Sequence, residues 1–210
     1  MILGAHPLQM LLIVLMLIPL LVLHEIAHGL TALVLGDTTA RDSGRLSLNP
    51  LRHIDWLGLL MIVVVGIGWA KPVMIEPDNL KNKKRDMAFI ALAGPFTNLV
   101  VAFFLLFLGI VVFDAEVEFI FPMARLSVIL AVFNMLPIPP LDGSKVLAAF
   151  IPDRFYQVYS RYEGWGVVIF LILIVTGVAI GVIVPIVDSI YHSFVQFWLG
   201  YINPRPWRLW

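Results

Sequence analysis

The sequence contains no cysteine. That excludes disulfides and thiolate metal sites, so any metal would have to be held by histidine and carboxylate. Charge is also scarce: 13% of the residues are Asp, Glu, Lys or Arg, about half the share of an ordinary soluble domain. The 14 basic and 14 acidic side chains cancel, which leaves no basic surplus of the kind that draws a protein to nucleic acid. No hydrophilic stretch exceeds roughly 20 residues, far short of an independent domain. A PDZ-like or nucleotide-binding module therefore has no room in these 210 residues. The first residues lack the basic n-region of a removable signal peptide, so none is expected. Internal repeats and low-complexity segments are missing as well.

Hydrophobic side chains are abundant. They make up 60% of the chain, and the mean hydropathy is +0.96, which points to a multi-pass membrane protein. Four long apolar stretches read as helices: residues 7–36, 87–113, 119–137 and 165–187. Each is near the length needed to cross hydrocarbon. A fifth, Trp56 to Trp69, has 14 residues and suits a re-entrant or short tilted segment better than a full span. The expected fold is an all-α membrane bundle with about 4–6 membrane segments, one of them re-entrant at 56–69, and a small strand or loop element near 41–50. Pro19 removes a backbone hydrogen bond inside the first stretch and should kink it.

The cations are unevenly placed. Segments 37–55 and 70–86 hold Arg41, Arg45, Arg52, Lys71, Lys81, Lys83, Lys84 and Arg85, which is 8 of the 14 basic residues. The connection 114–118 holds only acidic charge: Asp114, Glu116 and Glu118. If 56–69 dips in and returns, all eight cations share one side, and the positive-inside rule makes that side cytoplasmic. The basic cluster at 81–86 is then a topology signal and a contact for lipid headgroups. The aromatic and arginine residues after Asp188 read as an interfacial tail.

Within the first apolar run stand His24, Glu25 and His28. Ionisable groups at membrane depth cost a few kcal/mol each, so a chain retains them where they bind or react. Two histidines four apart share one helical face and can hold one zinc, while the glutamate between them works on a zinc-bound water. The bland reading is a polar cluster that glues helices together. The downstream pattern of the soluble enzymes fails here, because its glycine and third histidine would fall on Thr31 and Val34. A third ligand must come from Asp37, Asp42, His53, Asp55, Glu76, Asp78, Asp142, Glu163, Asp188 or His192. Asp142 stands out by context. It ends NMLPIPPLDG (134–143), where Pro137, Pro139 and Pro140 forbid regular helix. Unwound backbone at membrane depth is tolerated where it is buried in protein or lines a wet cavity. His53 and Asp55 could orient a ligand, although an ordinary loop role is simpler.

Taken together, HEIAHG, AGPFTN (93–98) and NMLPIPPLDG resemble the site-2 protease family of intramembrane zinc metalloproteases. GRLSLNP, the HID at 53–55 and GWAKPV (68–73) resemble its minimal subgroup, which lacks a PDZ domain. The resemblance runs from roughly residue 20 to 150 and implies one Zn2+ per chain. It implies His24, His28 and Asp142 as metal ligands and Glu25 as general base and acid. It further implies Asn134 as a group holding substrate or the oxyanion, with Asn98 and Pro137 in supporting roles. The implied partners are a membrane-embedded protein substrate and the lipid bilayer, in a cell membrane with the site toward the cytoplasm. The whole chain would be one integral-membrane protease domain, with a catalytic core at about 7–150 and a membrane helix plus interfacial tail at 151–210. The alternative is a metal transporter using the same ligands. Glu25 discriminates the two, since a protease needs it as a base that does not coordinate.

Overall fold

The computed structural model describes residues 7–58, 60, 71–117, 119–152, 154 and 164–202. The first helix, α1, runs from Pro7 to Val34 with Pro19 inside it. It stops where glycine permits a left-handed turn: Gly36 has φ +109°. The Asp37 amide then bonds back to Ala32 O at 2.9 Å and the Gly36 amide to Leu33 O at 3.2 Å, which satisfies the last carbonyls of the helix. A single helical turn, α2 (Thr39–Asp42), follows. The third helix, α3 (Lys83–Phe107), starts where the Asn82 side chain accepts the Arg85 amide and continues as a π-helical turn at Leu108–Val112. After it come α4 (Ile120–Asn134) and α5 (Asp142–Phe150). The last two are α6 (Gly166–Val175) and α7 (Val178–Ile202).

The all-α architecture agrees with the sequence reading, and no strand occurs among the described residues. The strand considered for 41–50 does not form, and side chains explain why. Gly44 turns the chain at φ +68°, and the Arg52 guanidinium donates to Gly44 O at 2.7 Å. Arg45 donates in return to Arg52 O, and Asn49 caps a 3-10 turn at Pro50–Arg52. These local bonds occupy groups that a strand would present to a neighbour. The apolar stretch at 165–187 is also divided. Gly177, at φ +76°, separates α6 from α7, and α7 runs on through Asp188 to Ile202. The re-entrant segment expected at 56–69 lies mostly outside the described residues, but its flanks meet: the Lys71 amide donates to His53 O at 2.8 Å.

Among the described residues, three helices are long and apolar enough to cross a membrane: Leu11–Val34, Lys83–Val112 and Val178–Ile202. Their outer faces carry bare Leu, Val and Phe, such as Leu15, Val100 and Val178, as lipid requires. Helix α3 lies at the centre and packs on α1, α4, α5 and α7. One core cluster joins Ala102 of α3, Val128 and Val132 of α4, and Ala179, Ile183 and Val187 of α7. At the opposite end of α3 from its N-terminus, Leu106 and Ile110 pack on Ala124, and Trp198 Nε1–H donates to Phe103 O at 3.0 Å. The basic segments gather at the α3 N-terminal end. There Lys84 Nζ donates to Ile151 O at 2.9 Å, just past α5.

Candidate metal centre

His24 and His28 project from one face of α1 toward α3. Both are almost fully buried, 3% and 6% exposed, and Asp142 at the start of α5 is 7% exposed. Their facing atoms form a nearly equilateral triangle. His24 Nε2 to His28 Nε2 is 3.0 Å, His24 Nε2 to Asp142 Oδ2 is 3.1 Å, and His28 Nε2 to Asp142 Oδ2 is 3.2 Å. Tetrahedral zinc at about 2.0–2.1 Å from its ligands sets neighbouring donors about 3.3 Å apart, so the triangle is close to a zinc-binding face. These three residues are the only His, Asp or Glu group among the described residues that converges in this way.

The outer nitrogens of the rings support ligation. His28 Nδ1–H donates to Ile90 O at 2.6 Å, which leaves Nε2 with a free lone pair. His24 Nδ1 lies 3.1 Å from the Asn98 side-chain amide nitrogen, and Asn98 itself is fully buried. In this orientation Asn98 Oδ1 is buried without a partner. Turning the amide puts Oδ1 against Nδ1–H and frees His24 Nε2 as well. Three lone pairs about 3 Å apart repel one another unless a cation sits among them, and the donor set of two imidazoles and one carboxylate is one that zinc accepts.

Space for the ion depends on Gly94, a residue in AGPFTN with no side chain to mark it as part of a site. A Cβ on Gly94 would stand 2.5 Å from His28 Nε2 and 2.6 Å from His24 Nε2. A glycine inside an α-helix costs about 1 kcal/mol relative to alanine, and that cost was the available signal in AGPFTN. Gly143 has a similar part, because a Cβ there would run into the Met135 and Leu136 carbonyls. Its absence lets the first turn of α5 press against the unwound segment 135–141 and carry Asp142 to the histidines. Farther out, Lys145 Nζ lies 3.9 Å from Asp142 Oδ1.

Glu25 sits between the histidines, half-buried, and its Oε2 accepts the Val73 amide at 2.8 Å. The remaining sequence candidates fall elsewhere. Asn134 donates to Leu130 O of its own helix at 2.9 Å. Pro137 is exposed on the unwound segment and lines a cleft of about 400 Å³ with Pro95, Met135 and Leu136. Asp37 and Asp55 accept backbone amides in loops, and the Glu76 side chain caps its own 3-10 turn. His53 is buried with Nε2 against Ser47 O at 2.7 Å. Asp188 pairs with Arg125 at 2.8 Å, and His192 Nδ1–H donates to Asp188 O. Glu163 lies outside the described residues.

Comparisons with known proteins agree with this chemistry. The model of peptidase family M50 matches residues 112–177, a stretch that includes Asp142. The chain is 31% identical over 193 residues to the zinc metalloprotease YwhC of Bacillus subtilis, covering 87% of this chain and 88% of that protein. It is 33% identical over 165 residues to the zinc metalloprotease Rip2 of Mycolicibacterium smegmatis, covering 74% of this chain and 63% of that protein. No solved structure matches significantly.

Proposed function

The chain belongs to peptidase family M50 and is an intramembrane zinc metalloprotease; from that premise we propose that His24, His28 and Asp142 hold the zinc and that Glu25 is the general base and acid. Peptide bonds within or next to membrane segments of protein substrates are the proposed targets. The observation that carries the reading is the triangle of three ligand atoms, 3.0–3.2 Å on an edge, directly beside a carboxylate fixed by a backbone amide. Nothing in the comparisons favours the transporter alternative.

Bound zinc supplies Lewis-acid chemistry: it acidifies water toward neutral pH and polarises a carbonyl. The chain's own groups do the rest. Asn98 and the Ile90 carbonyl hold the two imidazoles so that both Nε2 atoms face inward. Glu25 uses its other oxygen, Oε1, to take a proton from the attacking water and return it to the leaving amine. Asn134 donates to the developing oxyanion after leaving Leu130 O, a contribution of about 3–4 kcal/mol at comparable sites. Pro137, Pro95 and the unwound backbone at 135–136 support the extended substrate beside Gly94.

The active site is proposed to face the cytoplasm across a cell membrane. The two basic segments, 37–55 and 71–86, meet at the His53–Lys71 bond, and Lys84 reaches Ile151 O just past the Asp142 helix, which supports one shared, positive side for cations and site. Single cysteines placed at Arg41 and Lys84 should label from the same side, in a chain with no native cysteine to compete; labelling from opposite sides would refute the topology. For the chemistry, Glu25→Gln should retain its zinc while cleavage falls by about 10²–10⁴-fold. Cleavage at the wild-type rate would rule out Glu25 as the base.

A further inference from the structure

We propose that Asp37 is a positioning residue for the hydrolysis: its buried carboxylate fastens the strap 72–77 so that the Val73 amide holds Glu25 in the orientation the base needs. The proposal rests on the reading of Glu25 as general base.

Asp37 follows α1 by three residues and is 0% exposed. Its Oδ1 accepts the Thr39 amide at 3.1 Å, the Thr39 hydroxyl at 2.5 Å and Asn79 Nδ2 at 2.8 Å. Its Oδ2 accepts the Glu76 amide at 2.9 Å. Burial opposes the charge, yet these donors outweigh it and hold the carboxyl below the usual carboxylate range. Among the described residues no cation pairs with it. A buried anion satisfied only by neutral donors is costly to place, and it ties the stretch just after α1 to the turn at 76–79.

The segment it grips is built as a strap. Lys71–Glu76 forms neither helix nor strand, Glu76 is extended at φ −104° and ψ 103°, and Pro72 and Pro77 restrict φ at either end. Two of its amides go to carboxylates that belong to one stretch of chain, Val73 to Glu25 and Glu76 to Asp37. Apolar packing seats the strap between these points. Val73 is 7% exposed, and Ile75 packs on the cluster of Ala32, Leu80 and Ile90. Releasing the Asp37 end frees the strap to rise, and Glu25 then loses the donor that fixes its Oε2. Misplacing a catalytic group by about 1 Å is enough to cost on the order of a hundredfold in rate.

The test uses the full chain in detergent micelles, with a quenched fluorogenic peptide carrying one transmembrane segment as substrate. Asp37→Ala and Asp37→Asn should each lower kcat by about tenfold to a hundredfold, with KM changed less than about threefold and zinc content unchanged. Amide exchange at Val73 and Glu76 should accelerate, while exchange in α3 and α4 stays as in the wild type. Val73→Pro, which deletes the donor, should reproduce the kcat loss. Asp37→Ala added to Val73→Pro should cause no further loss. Wild-type kcat in both Asp37 variants would overturn the proposal. So would zinc loss parallel to the activity loss, or additive effects of the Asp37 and Val73 changes. Glu25→Gln in the same assay separates the two claims. If it is inactive while the Asp37 variants are normal, only the role of Asp37 fails; if it cleaves normally, the base assignment itself fails.

Discussion

Helices α1 and α7 look alike in sequence, and comparing them shows what makes a polar residue in an apolar helix functional. Both are long enough to span, both contain a proline, and both carry histidine and carboxylate within otherwise apolar runs. In α1 the histidines are buried and each is bonded from other elements: Asn98 and Ile90 of α3, and Asp142 of α5. In α7 the imidazole of His192 is exposed and returns to its own helix at Asp188 O, while Asp188 is answered by a single arginine, Arg125. The α7 groups are satisfied pairwise, and among the described residues no further histidine or carboxylate converges on them. The α1 groups present more lone pairs than there are protons to fill them, and an arrangement of that kind calls for a cation.

This contrast can be broken or sharpened by matched substitutions. The largest difference is expected between the two aspartates. Asp142→Ala should remove bound zinc and with it all cleavage, measured by metal analysis and peptide hydrolysis. Asp188→Ala should leave zinc stoichiometry intact, since an exposed ion pair is worth about 0–1 kcal/mol. Retention of zinc by Asp142→Ala would dissolve the distinction. Next come two glycines inside long helices. Gly94→Ala places a methyl on the histidine nitrogens and should reduce zinc content severely, with about 1–3 kcal/mol of lost stability from overpacking. Gly181→Ala in α7 meets nothing within 4 Å and should be neutral or slightly stabilising in thermal melts. The smallest contrast concerns the outer hydrogen bonds. Asn98→Ala should weaken zinc affinity or activity by about 10–100-fold through loss of the ring orientation. His192→Ala should change neither, and an equal effect of the two would place α7 in the catalytic machinery.

Much of this was legible before any tertiary contact was known. Hydropathy gave the helical spans because lipid leaves the backbone no other way to satisfy itself. The four-residue spacing of His24 and His28 gave the metal face, since helical geometry alone puts both rings on one side. Helix ends were less legible. Apolar composition runs continuously across Thr176 and Gly177, and only the left-handed φ of Gly177 divides α6 from α7. The strand considered near 41–50 failed because arginine-to-carbonyl bonds claimed the backbone locally, a competition that β-propensity does not register.

By itself, then, the sequence determined that the chain is a helical membrane protein, that its metal chemistry uses no sulfur, and where two candidate ligands and the candidate base lie. These follow from composition and from the period of the helix. Only tertiary structure brings Asp142, which its proline-rich context had already set apart, to 3.1 Å from His24 and turns Asp37, Glu76, His53 and Asp188 to other partners. It also decided that Gly94 must lack a side chain and that Glu25 is held by Val73. Ligand choice and clearance depend on where separate helices meet, and contacts across 48 to 118 residues of chain leave no local pattern to read.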